Sequence, residues 1–121
     1  MTSPAVQQLD AACRHVTRGK EAARELGALV ANFDLREAEF RLLWSLLTVR
    51  TLQDQTEIAA AIGCSPAQVS SLVEHLRKKR LILAIPSPED RRRQQWQLTP
   101  AGCRMLERVI ASVDQAGRAA A

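Results

Sequence analysis

One short stretch limits the fold more than any other: Gly63-Cys64-Ser65-Pro66, set between two apolar-periodic segments. A glycine supplies a left-handed helix end, and serine followed by proline supplies the start of the next helix. Upstream, Asp54 and Glu57 form an Asp-x-x-Glu capping box, with Ile58, Ala59 and Ile62 facing inward. Downstream, Ser65 and Gln68 repeat the box, and Val69, Leu72, Val73 and Leu76 form the inward face of a helix that runs to about Lys79. Two helices joined so tightly cross steeply, and Ala59 is small where they come closest. The pattern predicts a helix–turn–helix.

The flanking segments are also mainly helical. Residues 4–31 carry Val6, Leu9, Cys13 and Val16, then Ala23, Leu26 and Val30, at helical spacing. This stripe has nothing beside it in sequence to cover it and reads as a partner-seeking helix. A second helix is expected from Asp34, capped by Asp34 and Glu37, with Phe40, Leu43 and Leu47 on one face, ending near Val49 or Arg50. After the helix–turn–helix, Leu81–Ile85 and Gln94–Leu98 read as two short strands, with Trp96 and Leu98 on the buried side. Thr99-Pro100 opens a final helix carrying Met105, Leu106, Val109, Ile110 and Val113, which frays at Gly117. The fold class is therefore mainly α with a small β-hairpin wing, in one domain spanning residues 1–121.

Charge is concentrated. Between Arg77 and Arg93 stand seven basic and two acidic side chains, a local charge of +5 in a chain whose total is +4. A positive field confined to one helix end and one loop suits a polyanion. The chain has only Phe33, Phe40, Trp44 and Trp96 as aromatics and no tyrosine, which argues against a stacking platform for single strands or RNA. No apolar run is long enough to span a membrane and none resembles a signal peptide, so no membrane partner is expected. Three widely spaced cysteines, Cys13, Cys64 and Cys103, point to a reducing cytoplasm.

The helix after the turn shows a free face made of Ala67, Gln68, Ser70, Ser71, His75 and Lys78, with Ser65 and Pro66 at its start. The N-terminal end of such a helix enters the major groove of double-stranded DNA, where glutamine pairs with adenine and serine reaches bases or phosphates. The plain alternative is a solvated polar face. Arg91, Arg92 and Arg93 sit on the hairpin tip, where an arginine enters a minor groove. Asp90 is expected to shape that loop and Arg92 to meet DNA. In the run from Arg77 to Arg80, Arg77 has Glu74 as an alternative partner.

Asp90-Arg91-Arg92, followed at a fixed interval by Leu98-Thr99 and Gly102, resembles the MarR family of winged helix–turn–helix regulators. Leu76-Arg77-Lys78-Lys79 ahead of Leu81-Ile82 matches as well, and the resemblance covers roughly residues 34–113. It implies a homodimer on pseudo-palindromic DNA, usually a repressor, with recognition helices in major grooves and wing arginines in minor grooves. It also implies dimerisation helices at residues 1–33 and 99–118 around a DNA-binding core at 34–98. The chain departs from the family pattern in four places. Arg80 replaces a glycine, Ala84 replaces an arginine, and Ser71 and His75 stand where many relatives carry arginine.

His15 and His75 have no metal-ligand spacing to the cysteines, and no phosphate loop, carboxylate pair or nucleophile elbow is present. Neither an enzyme nor a cofactor nor a metal is expected. Cys13 and Cys64 are expected in the core. Two alternatives remain open: a winged-helix protein–protein adaptor without DNA binding, and a redox or ligand sensor, which would add a small-molecule effector to the partners.

Overall fold

The structure, a computed structural model, describes residues 3–49, 51–90 and 92–120. The chain divides into two compact units, residues 1–37 and 38–121. In the first, Ser3 accepts a hydrogen bond from the Val6 N–H, and Pro4 opens helix α1 (Pro4–Val30). A 3-10 turn, Ala31–Phe33, follows. Asp34 then takes the left-handed conformation, φ 57° and ψ 40°, and its N–H donates to the Ala31 carbonyl. The expected helix start at Asp34 is thus corrected. This residue closes the 3-10 turn, because asparagine and aspartate tolerate the left-handed region, and the next helix begins at Glu37.

The second unit holds α2 (Glu37–Thr48, which enters it at residue 38), β1 (Gln53–Asp54), α3 (Gln55–Ile62), α4 (Pro66–Lys78), β2 (Ile82–Pro86), β3 (Gln94–Leu98) and α5 (Pro100–Ala120). Leu42, Leu43, Ile58, Val69, Leu76, Ile82, Leu106 and Val109 are its most deeply buried aliphatic side chains. Each contributes about 1.5–3 kcal/mol by leaving water. The α2 face differs from expectation. Leu42 and Leu43 point inward together with Glu39 and Ser45, while Trp44 and Leu47 are exposed and Phe40 is half-buried, stacked on Trp44 at 5.6 Å between centroids. Ser45 Oγ donates to Gln53 Oε1 at 3.0 Å, so a polar pair occupies part of the inner face.

Three strands form the sheet rather than two, all antiparallel, in the order β1-β3-β2. Gln53 pairs with Trp96 and Ala84 with Trp96 on its other side. A two-residue polar strand carries no alternation, so β1 has no sequence signature. Trp96 is buried as expected and Leu98 is half-buried.

The start of α5 is fixed by Thr99. Its hydroxyl donates to the Arg80 carbonyl at 2.7 Å and accepts the Gly102 N–H at 3.0 Å, and its own N–H donates to the Leu81 carbonyl at 3.0 Å. Gly102 lies flat against Leu81: a methyl group there would meet the Leu81 carbonyl oxygen at 2.2 Å. The helix continues past Gly117 to Ala120 rather than fraying.

Candidate nucleic-acid interface

The helix–turn–helix forms as the sequence dictates. Asp54 accepts the Glu57 N–H at 2.9 Å while Glu57 accepts the Asp54 N–H, closing the α3 capping box. Gly63 ends α3 at φ 66°, with the Cys64 N–H on the Ala59 carbonyl. Ser65 and Gln68 then close the second box at 3.2 and 2.9 Å. That box has a cost for recognition. Gln68 Oε1 accepts from the Ser65 N–H, so bidentate pairing with adenine, which needs both the amide oxygen and nitrogen, requires opening the cap.

Ser65, Pro66, Ala67, Gln68, Ser70, Ser71, His75 and Lys78 are all exposed along α4. Ser70 Oγ donates to Gln55 Oε1 at 2.8 Å. Gln55 also lines a shallow cleft of about 240 Å³ with Asp54, Thr56, Arg92, Arg93 and Gln94. The outer row of α4 and the arginines of the wing therefore meet through Gln55, a residue that composition and spacing did not mark. The exposed start of α3 at Thr56 brings a helix N-terminus to the same cleft.

Within the wing, Arg92 and Arg93 have different settings. The Asp90 carboxylate accepts the Arg92 N–H at 2.9 Å and its carbonyl accepts the Arg93 N–H at 3.0 Å, which shapes the tip as expected for Asp90. The Arg93 guanidinium forms an ion pair with the Asp54 carboxylate, tying wing to helix–turn–helix. Arg92 is exposed and lines the cleft. Arg91 lies outside the described residues. The Glu57 N–H holds the Asp54 carboxyl below the usual carboxylate range, burial opposes this, and the Arg93 charge reinforces it. Arg77 pairs with Glu74 at 2.7 Å and lowers that carboxyl in turn.

His75 is not isolated. Its Nδ1 lies 2.5 Å from Oε2 of Glu39, a carboxylate only 1% exposed, and Lys79 Nζ is 3.7 Å from the same oxygen. Arg41, also on α2, donates to the Ile62 carbonyl at the end of α3.

A sequence model of the MarR family matches residues 33–93, half of the chain. The chain belongs to the MarR family. This is a family of transcription regulators. Among curated proteins none matches the chain in sequence. Among solved structures, the transcriptional regulator BldR from Sulfolobus solfataricus superposes with a TM-score of 0.82 at 16% identity, over 94% of this chain and 81% of that one. The transcriptional repressor CouR, bound to a 23-mer DNA duplex, gives 0.71 at 28% identity, over 83% and 70%. A mutant of MepR from S. aureus, bound to an oligodeoxyribonucleotide, gives 0.73 at 20% identity, over 92% and 80%.

The MarR-like motif residues now have physical roles. Asp90 folds the wing tip, Thr99 caps α5, and Gly102 permits its close seat on Leu81. Arg80, at the family's glycine position, keeps the glycine-like conformation with φ 62°. Cys13 is exposed, which corrects its expected core position: the stripe of α1 that carries it stays uncovered within its unit. Cys64 is half-buried rather than in the core, with Sγ near the Ile62 carbonyl, because the tight turn holds it at the surface end of the helix pair. Among the described residues, no three His, Cys, Asp or Glu side chains group as metal ligands, and no helix is long and apolar enough to cross a membrane.

Proposed function

We propose that this MarR-family chain is a cytoplasmic, homodimeric repressor that binds double-stranded DNA through α4 and the wing. One observation carries the reading: Ser70, Gln55 and the cleft arginines form a continuous polar and basic strip from recognition helix to wing. Such a strip suits a phosphate-lined duplex, with α4 directed at base edges in the major groove and Arg92 at the adjacent minor groove. The DNA in the CouR and MepR structures supports the same reading. Arg93, held by Asp54, serves here mainly to place Arg92.

Selection of bound sequences from a pool of random duplexes tests binding, palindromy and half-site spacing together. A pseudo-palindrome is expected, with affinity falling steeply as salt rises. Arg92→Ala should cost about 1–3 kcal/mol of binding, whereas Arg14→Ala, whose side chain pairs with Asp10 on α1, should leave binding unchanged. Equal losses, or no retained duplex at low salt, would overturn the assignment.

A further inference from the structure

We propose that Glu39 is a positioning residue for His75 and that the pair couples duplex binding to proton uptake, an inference that rests on the DNA-binding reading above. Glu39 projects from α2 into the interior and is 1% exposed, while the His75 side chain is 45% exposed on the outer side of α4. The Glu39 carboxylate can only accept, so at 2.5 Å it fixes the proton on His75 Nδ1. Nε2 is then a bare acceptor in the neutral ring and an N–H donor in the protonated one. An acceptor has nothing to offer a phosphate oxygen or a guanine O6/N7 edge; a cationic donor does. Protonation thus turns the same ring, in the same place, from indifferent or repelling to attracting.

The charged surroundings favour this assignment. On α2, Glu39 faces the ring, and Arg41 is directed at the Ile62 carbonyl. On α4, Glu74 is taken by Arg77 and Lys78 is exposed, and Lys79, which caps the helix, shares the Glu39 oxygen. On α3, Glu57 is engaged with the Asp54 N–H, and β2 carries no ionisable side chain. Among these, the Glu39 carboxylate is the anion in contact with the ring. An arginine at this position would be a permanent cation; a histidine held by a buried carboxylate supplies a conditional one.

The linkage has a definite sign. If the bound duplex favours the protonated ring, the added affinity is present at low pH and is lost as pH rises. Fluorescence anisotropy with a labelled mixed-sequence duplex at about 50 mM salt, between about pH 6 and about pH 8, reads this directly. Wild-type affinity should fall about tenfold across that range, the size of one lost charge-assisted contact. His75→Gln should bind weakly at every pH, His75→Arg tightly at every pH, and His15→Gln, altering the other of the two histidines, should keep the wild-type slope. Long-range ¹H–¹⁵N spectra of the wild-type chain near pH 8 should show the Nδ1–H tautomer of His75.

A flat wild-type profile, or a wild-type slope in His75→Gln, with binding intact, overturns the proton coupling and leaves the DNA-binding reading standing. An Nε2–H tautomer overturns the role of Glu39. Failure of both wild type and His75→Arg to retain the duplex at any pH overturns both readings.

Discussion

At the scale of single residues, Arg80 and Gly102 show opposite demands on the backbone. A left-handed non-glycine residue costs about 1–2 kcal/mol, and glycine loses about 0.5–1 kcal/mol more chain freedom on folding. At φ 62°, Arg80 meets the first cost, so Arg80→Gly should raise stability by up to about 1 kcal/mol, seen as a higher urea midpoint at unchanged slope. Gly102→Ala should act the other way. The new methyl would collide with a main-chain oxygen, not with a pliable side chain, and the cost should be about 1–3 kcal/mol or more. Gly63→Ala should cost about 1 kcal/mol through its φ of 66° alone, because open space surrounds it. The same denaturation series ranks all three, and an order other than Gly102→Ala worst and Arg80→Gly best would contradict these assignments.

At the scale of elements, Asp54 joins three of them. It is the last residue of β1, the N-cap of α3 and the anion for Arg93 in the wing. Asp54→Ala should cost about 1–2 kcal/mol, most of it the lost cap, since the Arg93 side chain is largely exposed and its pair is screened. The pH dependence follows from the lowered carboxyl. Its stabilisation is complete above the unfolded-state value near 3.8 and is lost as pH falls through the still lower folded-state value. Acid titration followed by circular dichroism should therefore show a shallower loss for Asp54→Asn than for wild type. The α3 and α4 caps were legible from sequence because each box joins residues three apart, and the Gly63 turn was legible because few residues accept its backbone. The start of α2 was misread because Asp34-x-x-Glu37 has the box's composition but stands on a left-handed residue. Arg93–Asp54 and His75–Glu39 bridge 39 and 36 positions. No periodicity links such residues, so only the tertiary arrangement reveals them.

At the scale of the whole molecule, the unclaimed apolar surface bears on assembly. Val6, Leu9 and Val16 on α1 are 50%, 67% and 57% exposed, and on α5 Ile110 and Val113 are 40% and 48% exposed. Single exposed aliphatics are ordinary; helical rows of them are what the homodimer reading assigns to its interface. In the homodimer reading, Val16→Glu should shift light-scattering mass from two copies to one without loss of helical signal, and should weaken palindromic DNA far more than a half-site. A wild-type chain that stays monomeric at micromolar concentration would remove that reading. The seat of Gly102 on Leu81 then acquires a mechanical meaning. Leu81 also donates its N–H to the Leu76 carbonyl near the end of α4, so a single residue's main chain touches both the first turn of α5 and the last turns of α4. Main chain, which cannot change rotamer, therefore sets the spacing between these two helix ends at that point.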